Sequence, residues 1–209
     1  MPPAHLTRLM YLATFSGYNG NLIGDNRKAL TKSIIQKKMG LSKPVFYKFW
    51  DDMVSRGILV DEGVSVYLNK DIFFKGQMTN QMIASYQKSN STVTRIYIKG
   101  IRELYEKATV SSHATLSYLF RVLPFVNHQH NIVCTNPFET DVQEIRAMTL
   151  GEFADIIGYD RHNIRRLMKQ LFNTTFMVGD KETRAINFTF GKDMSSEEMK
   201  LYINPSVYY

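Results

Sequence analysis

The chain repeats itself, and that repeat constrains every other reading. At a constant offset of 110 residues, Leu6, Leu9, Met10, Leu12, Phe15, Asn21, Leu22 and Ile23 meet Leu116, Leu119, Phe120, Val122, Phe125, Asn131, Ile132 and Val133. At an offset of 118, Thr31, Ile35, Met39, Gly40, Phe46, Trp50 and Met53 meet Thr149, Phe153, Ile157, Gly158, Ile164, Met168 and Leu171. At an offset of 135, Tyr67-Leu68-Asn69-Lys70 meets Tyr202-Ile203-Asn204-Pro205. The offset changes only where loops are expected, so the two halves share one architecture. A chain of 209 residues can build one large core or two small ones. The repeat decides for two: a first domain over residues 1–76, a linker over 77–112 with a helix at about 92–108, and a second domain over 113–209.

Each half opens with an apolar helix, Leu6 to about Phe15 and Leu116 to about Val122, and Pro124 ends or kinks the second one early. A pair of helices around a sharp turn follows. Thr31 is the expected N-cap of a helix ending at Gly40, and Ser42 the N-cap of the next, with Pro44 tolerated in its first turn. Phe46, Phe49, Trp50, Met53 and Val54 then form a helical apolar stripe that stops at Arg56-Gly57. The second half repeats this. Thr149 and Glu152 form a capping box, Gly158 closes the helix, Asp160 caps the next, and Ile164, Leu167, Met168, Leu171 and Phe172 form its stripe.

Strand-like segments come next: Ile58–Val60 and Val64–Leu68 around Asp61-Glu62-Gly63, and Ile186–Phe190 and Met199–Ile203 around a longer loop. Helix, helix-turn-helix, then hairpin is the order of a winged helix. The expected fold is mainly α with small β wings (α+β): two winged helix-turn-helix domains in tandem, joined by a helical linker. The linker stripe Val93, Tyr97, Ile101, Leu104, Tyr105 and Ala108 must pack on something. Bridging the two domains is the expected role, and pairing with its twin in a homodimer the alternative.

The first half resembles the winged-helix replication proteins of small Gram-positive plasmids, the RepL type. The resemblance rests on Ser42–Lys48 as recognition segment, Gly57-Ile58-Leu59 entering the wing, and the exit Val66 to Gly76 with its aromatic pair Phe73-Phe74. It covers about 50 residues. Lys70 stands where that family has proline, and Asn204-Pro205 restores the proline in the second half. The doubled layout is similar to tandem winged-helix plasmid initiators and to phage-encoded regulators. These resemblances imply DNA binding in the cytoplasm of a bacterial host, with control of phage or plasmid transcription or origin binding in replication as the outcome.

Charge divides the halves. The net charge is +7, but residues 1–76 carry 11 Lys/Arg against 6 Asp/Glu, whereas residues 115–209 carry 10 against 11. In a helix-turn-helix the second helix enters the major groove. In the second half Arg161, His162, Asn163, Arg165, Arg166 and Lys169 lie off the apolar stripe, and Arg and Asn are the residues that pair bidentately with guanine and adenine. In the first half the matching cations are Lys43 and Lys48, beside Tyr47, with Lys32, Lys37 and Lys38 on the preceding helix. Lysine suits phosphate contact better than base discrimination. The expectation is unequal work: attraction from the first half, readout from the second. Asp61-Glu62 at one wing tip and Asp193, Glu197 and Glu198 at the other would repel phosphate.

Other classes find less support. His128, His130 and Cys134 have ligand chemistry for zinc but lack a fourth ligand, so a loop histidine pair and a buried thiol are expected, with no metal and no cofactor. No phosphate-cradling glycine loop, metal-spaced carboxylate cluster or nucleophile–base pair marks an enzyme. One cysteine excludes an intrachain disulfide and fits a reducing compartment. Met-Pro-Pro-Ala-His lacks the basic and apolar regions expected of a signal peptide, and no apolar run approaches the roughly 18 residues of a membrane helix. A protein-interaction module remains the alternative of another class, on the acidic wings and on Tyr159, Tyr202, Tyr208 and Tyr209 as exposed aromatics.

Overall fold

A computed structural model describes residues 1–77, 79–88, 96–127, 129–189, 195 and 198–205. Among them the fold is mixed α and β, with eight α-helices and three two-stranded antiparallel sheets. The chain divides into two compact units, His5–Asn90 and Ser91–Tyr209. No helix among the described residues is long and apolar enough to cross a membrane.

In the first unit, α1 (Pro3–Ala13) buries Leu9, Met10, Tyr11 and Leu12. α2 (Lys32–Met39) starts at Thr31, whose hydroxyl accepts from the Ile34 N–H, and stops at Gly40 with φ +62°. Only glycine takes that left-handed turn without steric cost, so the chain can reverse in two residues. α3 (Lys43–Ser55) follows. Ser42 holds the N-cap position but its side chain makes no capping bond, and Pro44 sits in the first turn, where a missing N–H costs nothing. Phe46, Phe49, Trp50 and Met53 are buried, whereas Val54, at the edge of the expected stripe, is exposed. β1 (Leu59–Asp61) and β2 (Val66–Leu68) pair as Leu59 with Leu68 and Asp61 with Val66. α4 (Asn80–Lys88) closes the unit. His5, 4% exposed, donates from Nδ1 to Asp52 Oδ2 at 2.7 Å, tying α1 to α3.

The second unit adds α5 (Ile98–Lys107) ahead of the repeated part. α5 buries Ile101, Leu104 and Tyr105, and Tyr105 stacks on the buried His113 with ring centroids 4.5 Å apart. The expected linker helix is thus seen from Ile98 onward, and Val93 lies outside the described residues. α6 (His113–Val122) passes into a 3-10 turn, Leu123–Phe125, at Pro124. α7 (Leu150–Ile156) carries both halves of the Thr149/Glu152 capping box, and Gly158 has φ +67°. A 3-10 turn, Arg161–Asn163, capped by Asp160, leads into α8 (Ile164–Phe172). The hairpin β3 (Thr175–Val178) and β4 (Lys181–Arg184) comes next, then β5 (Ile186–Phe188) paired with β6 (Leu201–Ile203).

The repeat extends to backbone hydrogen bonds. Leu22 N donates to Val66 O at 2.8 Å, and Val133 N to Leu201 O at 3.0 Å. Leu68 N donates to Gly20 O, and Ile203 N to Asn131 O. Leu30 N donates to Leu22 O, and Met148 N to Val133 O. Gly20 and Asn131 both have positive φ, +78° and +57°. These bonds correct the sequence alignment by one residue. Leu22 matches Val133 rather than Ile132, because the second unit takes one more residue between Phe125 and Asn131. In an extended segment a slip of one residue changes the face, and Leu22 and Val133 are both fully buried.

Two insertions distinguish the second unit. The bridges Ile23 with Ala29 and Cys134 with Ala147 enclose 5 and 12 residues, so the loop before α7 is longer. The hairpin β3–β4 has no counterpart in the first unit and was not read from the sequence. Its signal is there: Thr175–Val178 and Lys181–Arg184 flank the two-residue turn Gly179-Asp180, with Gly179 at φ +61°. It packs on α5, where Glu103 Oε2 accepts from the Met177 N–H at 3.2 Å.

Candidate nucleic-acid interface

The second helix of each helix pair has a buried and an outward face, and the outward faces differ. On α8, Ile164, Leu167 and Leu171 are buried. At 100° per residue, Arg165, Arg166 and Lys169 therefore share the opposite side, and all three are exposed, as is His162 in the 3-10 turn before the helix. Among the described residues Arg165, Arg166 and Lys169 make no ion pair. On α3 the positions 118 residues earlier are Pro44, Tyr47, Lys48 and Asp51, also exposed. The face is the same, but its formal charge falls from three cations to one cation and one anion.

Not every expected contact residue points outward unengaged. Arg161 pairs with Asp155 on α7 through two hydrogen bonds, one of them Nε to Oδ1 at 2.7 Å. The guanidinium holds the Asp155 carboxyl below its ordinary range. Asn163 is exposed, but its amide nitrogen donates to Asp160 Oδ2 at 3.0 Å. In the first unit Lys32 Nζ lies 3.9 Å from Asp61 Oδ2 and 4.9 Å from the centre of the Trp50 ring. Lys38 Nζ lies 3.8 Å from Asp25 Oδ2 and 5.0 Å over Phe15. Lys37, Lys43, Tyr47 and Lys48 are exposed.

Asp61, read as a repelling wing tip, is turned toward Lys32. Together with Trp50, Asp51, Val54 and Ser55 the two line a shallow groove beside α3. Of the second tip's carboxylates, Asp193 and Glu197 lie outside the described residues, and Glu198 Oε2 accepts from the Ser195 N–H. Arg184 stacks on Phe172, its guanidinium carbon 3.6 Å from the ring centre. Cys134 is fully buried, which pushes its thiol up, and His130 is exposed; His128 lies outside the described residues. Tyr159, expected to be exposed, is half-buried edge-on against Tyr118, and Tyr202 is half-buried in β6; Tyr208 and Tyr209 lie outside the described residues.

Two site residues escaped the sequence reading. Asp155 was missed because its partner lies six residues away across a turn, where no helical spacing points to it. Asp51 was missed because a charge on a helix face reads as ordinary solvation until it is set against Lys169. No family model matches the chain, and no curated protein or solved structure matches it.

Proposed function

We propose that each unit is a winged helix-turn-helix and that the chain binds double-stranded DNA sequence-specifically, as a transcriptional regulator of phage or plasmid genes. The observation that carries this reading is the outward face of α8. Residues 115–209, net −1, gather Arg165, Arg166 and Lys169 on one side of the helix that follows the turn, with His162 exposed in the turn itself. Such a face is the electrostatic footprint of a groove-binding helix. Of the α5 stripe, Ile101, Leu104 and Tyr105 are buried and α5 packs on β3, which favours one chain over a helix-paired dimer as the binding body. Origin binding in replication uses the same contacts and is the alternative role.

Gel shift against random duplex at low salt tests the class. Binding that weakens steeply with salt is expected, since each phosphate contact releases counterions; absence of a shift sinks the reading.

One observation favours a protein-interaction role instead. Phe138 is 68% exposed and Val142 54%, on the long loop before α7, flanked by Glu139, Asp141 and Glu144. An ordered apolar knob among carboxylates suits a basic protein surface. Under that reading a Phe138→Ala variant loses a partner while any DNA affinity is unchanged.

A further inference from the structure

Asp160, in the turn between α7 and α8, uses both of its carboxylate oxygens. Oδ1 accepts from the His162 N–H at 3.0 Å and so caps the turn that leads into α8. Oδ2 accepts from the side-chain amide of Asn163, also at 3.0 Å. A carboxylate only accepts hydrogen bonds, so the amide turns its nitrogen toward Asp160 and its oxygen away. That selects one of the two flips open to an exposed asparagine. Asn163 is exposed, and among the described residues its side chain makes no second hydrogen bond. Arg161, two residues earlier, is already engaged by Asp155.

The first unit builds the same turn without this pair. Its residues at the two positions, 118 earlier, are Ser42 and Val45. Ser42 makes no side-chain capping bond and Val45 carries no amide, yet α3 is formed. The shared frame therefore does not require an acid that holds an asparagine. The pair belongs to what the second unit does.

We propose that Asn163 reads one adenine and that Asp160 is its positioning residue. The inference rests on the DNA-binding reading above, in which the start of the second helix meets base edges. Asparagine pairs with adenine through two bonds: its oxygen accepts from N6, and an amide N–H donates to N7. An amide nitrogen carries two N–H groups. In this arrangement Asp160 takes the one on the Cβ side and leaves the one beside Oδ1. That N–H and Oδ1 together form the donor–acceptor pair that adenine requires. Arg165, Arg166 and Lys169 supply phosphate contacts.

The test compares wild type, Asn163→Ala and Asp160→Ser in selection from a random duplex pool, then in titrations of the selected site and its single-base variants. Serine is the residue of the first unit and a favoured N-cap, so Asp160→Ser keeps a capping oxygen and removes the one that holds Asn163. Wild type should favour adenine at one position by about tenfold, and both variants should lose most of that preference at the same position. Replacing that adenine with 7-deazaadenine, which keeps the pairing edge and lacks N7, should weaken wild type and leave Asn163→Ala unchanged. Affinity for random duplex at low salt should stay within about twofold in both variants, since phosphate contacts set that quantity. Retention of the preference in Asn163→Ala, or its loss uniformly across the site, overturns the proposal. So does a wild type indifferent to 7-deazaadenine. Full retention in Asp160→Ser overturns the positioning role. Wild type that binds duplex with no base preference overturns this proposal alone. Wild type that binds no duplex overturns the DNA reading and takes this proposal with it.

Discussion

Asp52 joins two elements through two partners. Its Oδ2 accepts from the buried His5 on α1, and its Oδ1 accepts from Arg56 Nε at 2.7 Å, one turn further along. His5 also meets Phe49 edge-on, with ring centroids 5.6 Å apart. Removing the carboxylate leaves a buried ring N–H without its acceptor, so Asp52→Ala should lower the unfolding free energy by about 2 kcal/mol; a urea titration that leaves the midpoint unmoved would refute this. The hydrogen bond from His5, ahead of that from Arg56, holds the Asp52 carboxyl below its ordinary 3.8. A depressed carboxylate contributes stability that is complete above its unfolded value and lost as pH falls through the folded one. The stability gap between wild type and Asp52→Asn should therefore narrow as pH drops from about 5 to about 3. A gap that widens over that range contradicts the assignment.

The boundaries of α2 were legible to the residue, because Thr31 and Gly40 are local signals whose chemistry depends on nothing distant. Gly40 and Gly158 share nearly the same positive φ, and a Cβ at either meets no atom within 4 Å. Replacing either with alanine should then cost backbone strain alone, about 1 kcal/mol in each unit, and equal costs in thermal or denaturant melts are the check. β3–β4 was not legible in the same way. Its Gly179-Asp180 turn is a local signal, but reading by repeat passes over whatever one copy lacks. The partner of α5 was hidden for the same reason, since the stripe on Ile101, Leu104 and Tyr105 says that something covers the helix and not what. Glu103 accepts a backbone N–H of that hairpin, and hydrogen bonds to a charged group are the stronger kind. Glu103→Ala should cost about 2 kcal/mol and speed exchange of the Met177 amide; unchanged exchange would show that the contact holds nothing.

For the molecule as a whole, the two outward helix faces are one design with different side chains. The cations of α8 were legible because three of them crowd one helix, with Arg161 in the turn before it, whereas the weakness of α3 became visible only when Asp51 was set against Lys169. Under the DNA-binding reading, Lys169→Gln should reduce the slope of log affinity against log salt by about one phosphate contact, and Asp51→Lys should increase it by a similar amount. Titrations at several salt concentrations decide this, and an unchanged slope for Asp51→Lys would show that α3 stays away from the duplex. The matched backbone bonds have a wider consequence. Leu22 to Val66 and Val133 to Leu201 brace the two frames alike, and each helix pair enters at a threonine cap, Thr31 or Thr149. The span from cap to helix end thus sits in similar frames, although among the described residues only in the second unit does its start bridge through the backbone to the strand side, from Leu150 N to Met199 O. A chimera carrying residues 149–172 in place of 31–54 would transplant the cationic helix, and a chain with two such spans would report whether specificity travels with the insert or stays with its address.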